Sequence, residues 1–184
     1  MFDPIADHAQ LARLQELIER WLAEHEPALL HVAAGVSGWS AEQHLAHVAL
    51  ANELVLRNLK SLAKGSGLLV IEGGEPVPGA LELLVSGRLP RGAAQSPRIV
   101  RPPAAVERGL LREWLSDGRR ELAALDPHSI RATGQRIPHQ ILGPLDAPQW
   151  LRFGVVHTRH HLGIAREVLL AHDGRHAHAL ALPD

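Results

Sequence analysis

DAPQWLRFGVVHTRHHLGIAREVLLAH, residues 146–172, is the stretch that decides the fold. It opens with Asp146, a residue whose carboxylate suits a helix N-cap, and places Pro148 in the first turn, where a missing N–H costs nothing. No further proline interrupts it, and a glycine follows at 174. Apolar side chains extend around much of its circumference, as in a helix at the centre of a bundle. Within it three histidines fall in five positions, 157, 160 and 161. A buried imidazole needs a partner for its ring nitrogens, so the segment poses two questions at once, what packs around it and what its histidines hold.

Working outward, three more helices follow from apolar spacing. Asp3-Pro4 starts the first, with Leu11, Leu14, Leu17, Ile18, Trp21 and Leu22 on its stripe as far as about His25. Ser40-Ala41-Glu42-Gln43 reads as a capping box for the second, which runs to Gly65 and carries His44, His47, Ala51, Leu54 and Asn58 on one face. The third spans about 104–125. Residues 65–103 hold seven glycines and six prolines, too many for a long helix, apart from a short helical piece in GALELLVSG. A second irregular segment is expected at 126–145. The expected architecture is therefore all-α, a four-helix bundle with a long crossover between helices two and three. That crossover lets those two run parallel, which makes the order up-down-down-up. Residues 1–174 form one domain, and 175–184 are expected as a flexible tail.

Composition narrows the function classes. The chain has 184 residues and a formal net charge of −1, with two Phe, four Trp and no Tyr. It lacks the basic excess and the aromatic platform of nucleic-acid binders. No apolar run reaches membrane-spanning length and no signal peptide is evident, so a cytoplasmic protein without nucleic-acid or membrane partners is expected. With no cysteine, disulfides and thiolate metal sites are excluded, and any metal must be held by His, Asp or Glu.

His157 and His161 are four residues apart and share a helix face, a spacing that can grip one ion. Thirteen histidines in the chain make about one such pair expected by chance, and 172/176 is a second. Position separates them: 172 and 176 straddle Gly174, whereas His157 and His161 sit among Phe153, Gly154, Val156, Leu162 and Ile164. His47, on the apolar side of helix two, is the third candidate. His44 lies nearer the helix end and is expected to be exposed. Two readings stay open here, three core histidines bonded to neighbours or a set of three imidazoles that leaves coordination positions free, as catalytic metal sites do. Such ligands suit zinc, nickel or iron.

WSAEQHLAHV, residues 39–48, together with GPLDAPQWLRFGVVHTRHHLGIAREVL, residues 143–169, resembles the DinB-like superfamily, which includes the bacillithiol S-transferases. The resemblance implies an up-down-down-up bundle and a homodimer. It implies a divalent metal, zinc or nickel, on one histidine eight residues after the Trp of the Trp-Ser start and on an H-x-x-x-H pair in the last long helix. Carried onto this chain, the ligands are His47, His157 and His161. The chemistry implied is transfer of a low-molecular-weight thiol to a small electrophilic substrate.

The chain contains no H-E-x-x-H, so no zincin-type base is built into the helix. Glu53, Glu167, Arg152 and Arg159 read as surface charges, and Trp39 and Trp150 as helix-end anchors. Asn58 is either a substrate-orienting amide or a polar residue at the end of the core, and Gly154 either permits close helix packing or leaves space beside a metal. Metal-dependent transfer, metal-dependent hydrolysis and a non-catalytic bundle with a structural or vacant site are the three functions in play. The missing base weighs against hydrolysis more than against transfer, because coordination itself acidifies a thiol.

Overall fold

The computed structural model describes residues 2–25, 27–92, 95–172 and 181–182. Four long helices dominate: α1 (Pro4–Glu24), α2 (Ala41–Lys64), α4 (Arg108–Ala123) and α5 (Ala147–His172), with a short α3 (Ala80–Ser86) in the crossover. Their starts are set by the residues expected to set them. Asp3 accepts from the amides of Ile5 and Ala6. Ser40 and Gln43 exchange hydrogen bonds of 3.1 and 3.0 Å between side chain and backbone. Asp146 and Gln149 do the same at 2.9 and 3.0 Å. Gly65 ends α2 at φ 65°, a left-handed conformation that glycine adopts without a Cβ clash.

Both α1 and α2 pack on α4 and on α5, and the α2–α5 seam is the most extensive. Leu14, Leu45 and Leu151 are fully buried in the shared core, each contributing about 1.5–3 kcal/mol by removal from water. Gly154 resolves one open question. A Cβ there would lie 3.3 Å from Val55 Cγ1 and 3.7 Å from Leu11 Cδ2, so this glycine lets α5 lie close against α2 and α1.

The all-α expectation fits broadly, and a small three-stranded antiparallel sheet adds to the mostly helical fold. β1 (Ile71–Glu72), β2 (Gln135–His139) and β3 (Gly143–Leu145) run in that order across it. β1 pairs only with Gln135 and Arg136, and β3 only with residues 137–139. Pro138 therefore never faces strands on both sides, which is why a central strand tolerates it. The sheet packs onto α5 through Trp150, whose indole N–H donates to the Ile137 carbonyl at 3.1 Å, so Trp150 is the helix-start anchor expected.

Two smaller expectations also change. α4 begins at Arg108 rather than near 104, with Glu107 extended at its N-cap. Arg152 is not a free surface charge. It donates to the Asp7 carboxylate and to the Leu84 carbonyl, each at 2.9 Å, and so ties α5 to α1 and α3. Arg159 is half-buried. Glu53 pairs with Arg57 and Glu167 with Arg91, both pairs largely in solvent. Most of the expected tail, 175–184, lies outside the described residues, and Leu182 packs against the core. Among the described residues no helix is long and apolar enough to cross a membrane.

Candidate metal centre

His47 projects from the second turn of α2, and His157 and His161 from successive turns of α5 across the seam. Their nitrogens converge: one from each ring lies within 4.8 Å of the other two. His47 Nε2 and His157 Nε2 are 3.1 Å apart. The three ring centroids are separated by 4.4, 4.6 and 4.9 Å. His47 is buried, whereas His157 and His161 keep part of their surface open, and all three line one cavity.

The rings are held from behind. His47 Nδ1–H donates to the Val100 carbonyl at 2.7 Å. That bond places the proton of a neutral imidazole on Nδ1 and leaves Nε2 a bare lone pair facing the cluster. On α5, His161 Nδ1 lies 3.0 Å from His44 Nδ1, and His44 Nε2 lies 2.9 Å from Ser37 Oγ. His157 has no such support, and its buried Nδ1 has no hydrogen-bond partner among the described residues. Three neutral nitrogen donors at this separation suit a divalent ion, and the partnered back nitrogens of His47 and His161 are the arrangement that ligand histidines ordinarily show.

Electrostatics favour neutral rings. Burial, reinforced by neighbouring histidines, lowers the pKa of His44 to about 4 and those of His157 and His161 well below the usual imidazole value. His47 is lowered by burial too, partly offset by its bond to Val100. Each ring therefore offers a lone pair at neutral pH rather than a positive charge that would repel a cation.

The cavity in front of the cluster has a volume of about 830 Å³, within the range usual for small-molecule sites. Its walls are mainly apolar, and among the described residues no Asp or Glu lines it. Its guanidiniums are Arg91, engaged with Glu167, and Arg101. The crossover supplies one wall from residues 89–92 and 95–101, and the β2–β3 hairpin supplies another from residues 137–142. Asn58, 5% exposed, lines the same cavity from α2.

Sequence reasoning placed the three ligand candidates, and the fold brings them together. It misplaced His44, which is 3% exposed rather than open to solvent. The physical cause is the crossover folding over the start of α2. Gln43 donates to the carbonyls of Pro103 and Ala104, and Arg108 pairs with buried Glu42. Trp39 also does more than anchor a helix end, since its ring lies 5.3–5.4 Å from those of His44 and His47. Ser37 and the Val100 carbonyl carried no sequence signal, because a loop serine and a backbone oxygen look alike at any position.

Comparison with curated proteins and with solved structures gives no match. Residues 10–165 match the family model of the DinB superfamily. That span holds all three histidines, the α2–α5 seam and both walls of the cavity, and the chain belongs to the DinB superfamily.

Proposed function

We propose that the protein is a metal-dependent enzyme whose ion, zinc or nickel, is held by His47, His157 and His161, and that it transfers a low-molecular-weight thiol to a small electrophile. The observation that carries this reading is the approach of His47 Nε2 to His157 Nε2, with the proton of His47 drawn off to the Val100 carbonyl. An ion on three neutral imidazoles keeps its full charge and lowers the pKa of a coordinated thiol. The chain's own residues do the rest. The apolar walls exclude water and take up the electrophile's body, Asn58 orients substrate from α2, and Arg101 gives the cavity a positive charge that draws an acidic thiol.

Transfer is favoured over hydrolysis because, among the described residues, no carboxylate lines the cavity to activate water. The helix order belongs to the same proposal. His44 with His161 and His47 with His157 run α2 against α5. Glu42 with Arg108 and Lys60 with Glu121 run α2 alongside α4, and His8 bonded to the Leu122 carbonyl runs α1 against α4. These pairs support up-down-down-up. A homodimer is proposed from the resemblance to the DinB-like superfamily, and light scattering that reads a single chain mass would remove it.

The test is elemental analysis of the purified protein beside His157→Ala, followed by conjugation of thiols to a model electrophile. Near-stoichiometric metal in the first, its loss in the variant, and metal-dependent conjugation are expected. Metal-free wild type refutes the site. Metal-loaded protein that hydrolyses esters but conjugates no thiol refutes the transferase assignment and leaves the site standing.

A further inference from the structure

We infer that His44 and Ser37 form a positioning relay that fixes the tautomer of His161, so that the Nε2 lone pair of His161 is free for the ion. The inference rests on the three-histidine reading above and assigns two residues that lie outside it.

A neutral imidazole has one N–H, and the chain of contacts leaves only two ways to distribute the protons. In the first, His161 Nδ1–H donates to His44 Nδ1 across 3.0 Å, and His44 Nε2–H donates to Ser37 Oγ across 2.9 Å. In the second, the Ser37 hydroxyl donates to His44 Nε2, His44 Nδ1–H donates to His161 Nδ1, and the proton of His161 moves to Nε2, where it blocks coordination. Only the first leaves His161 Nε2 free for an ion, and Ser37 can serve it. Its oxygen accepts the Trp39 amide at 3.1 Å and keeps a second lone pair for His44 Nε2–H, while the Trp39 ring packs on both His44 and His161. The first arrangement also makes His161 match His47, whose Nδ1 proton goes to Val100. Each of these two rings then turns a bare Nε2 into the cluster while its back nitrogen is tied down.

Two contacts of this kind are what orients ligand histidines and raises their basicity, and removing one typically weakens metal binding about 10–100-fold. His44 also lines the cavity, but its ring nitrogens go to His161 and Ser37. It acts through His161 and is a positioning residue. It stands one turn before His47 on the same face of α2, and the crossover that buries it also supplies Val100.

The experiment titrates Zn²⁺ against a chromophoric chelator in the full-length wild type, His44→Leu, His44→Asn and Ser37→Ala. It also records the histidine ring nitrogens of the zinc-loaded wild type by NMR. His44→Leu keeps the volume but removes the acceptor, and a zinc affinity about 10–100-fold weaker is expected. The carbonyl oxygen of Asn stands near the place of the imidazole Nδ1, so His44→Asn is expected to recover most of that loss. Ser37→Ala should fall between. In the wild type His161 should carry its proton on Nδ1. Equal affinity in His44→Leu and wild type, or equal losses in His44→Leu and His44→Asn, overturns the relay, as does a proton on His161 Nε2. Because the NMR reading needs no variant, a His44→Leu protein that fails to fold does not protect the inference. Wild type that binds no zinc removes the metal site itself, a result distinct from a zinc-binding wild type indifferent to position 44.

Discussion

At the scale of single residues, the site is a matter of where protons sit on imidazoles. Among the described residues six histidines line the cavity, and their roles differ by partner rather than by residue type. His47 has a carbonyl behind it, His161 has another imidazole, and His157 has no partner for its Nδ1 among the described residues. As a metal ligand, His157 would have the least support of the three. Asn58 belongs at this scale as well. Its amide lines the cavity away from the cluster, so Asn58→Ala is expected to raise the KM of the thiol or electrophile several-fold and leave metal content at wild-type level. A variant that loses metal, or that leaves KM untouched, rules out a substrate-orienting role for it.

At the scale of elements, the α2–α5 seam holds the site through a second polar pair. Asn52 and Thr158 exchange hydrogen bonds of 3.1 and 3.2 Å in a fully buried position beside the histidines. Thr158→Val keeps the shape and strips the Asn52 amide of its partner, which should cost about 1–3 kcal/mol. Urea denaturation showing no loss would mean that the pair has another partner. The β2–β3 hairpin has its own fastening. His139 Nδ1 accepts the amides of Ile141 and Leu142 at 3.2 and 3.1 Å, and burial lowers its pKa to about 4. An unfolded histidine titrates near 6.5. Between those values the unfolded chain binds the extra proton, so the stability due to this group is complete above about pH 6.5. It is lost as pH falls toward 4, by up to about 1.4 kcal/mol per unit. Melting curves of metal-free protein should show that slope, and His139→Asn, which cannot titrate, should make it shallower. An unchanged slope would mean that His139 is protonated in the folded hairpin.

At the scale of the whole molecule, an ion bridging α2 and α5 joins the most extensively packed pair of helices, so binding should stabilise the fold as well as the site. An ion present at about a hundred times its Kd adds about 2.7 kcal/mol, or roughly 5–10 °C in Tm for a chain of this size. Chelation is expected to lower Tm by that amount in wild type and not at all in His157→Ala. A wild-type Tm indifferent to chelator would show that no ion spans the seam.

Local chemistry alone marked most helix starts and put His157 and His161 on one face, and the resemblance made a ligand set of these two with His47. Asp3, Ser40 and Asp146 cap helix starts through bonds that reach only three residues ahead, and apolar spacing carries each helix from there. His157 and His161 share a face because the helix repeats every 3.6 residues. All of this is written in contacts between near neighbours, so it is legible before any folding. Tertiary structure decided the rest. The sheet joins residues 71–72 to 135–136, and a two-residue strand has too little pattern to be seen until its partner arrives. His44 passed for a solvated residue at a helix end because nothing near it in sequence buries it. The crossover does, bringing Val100, Pro103 and Ala104 over the start of α2 from more than fifty residues away. Burial and the far partner of a hydrogen bond are properties of the assembled chain, and they turn a set of histidines into a site.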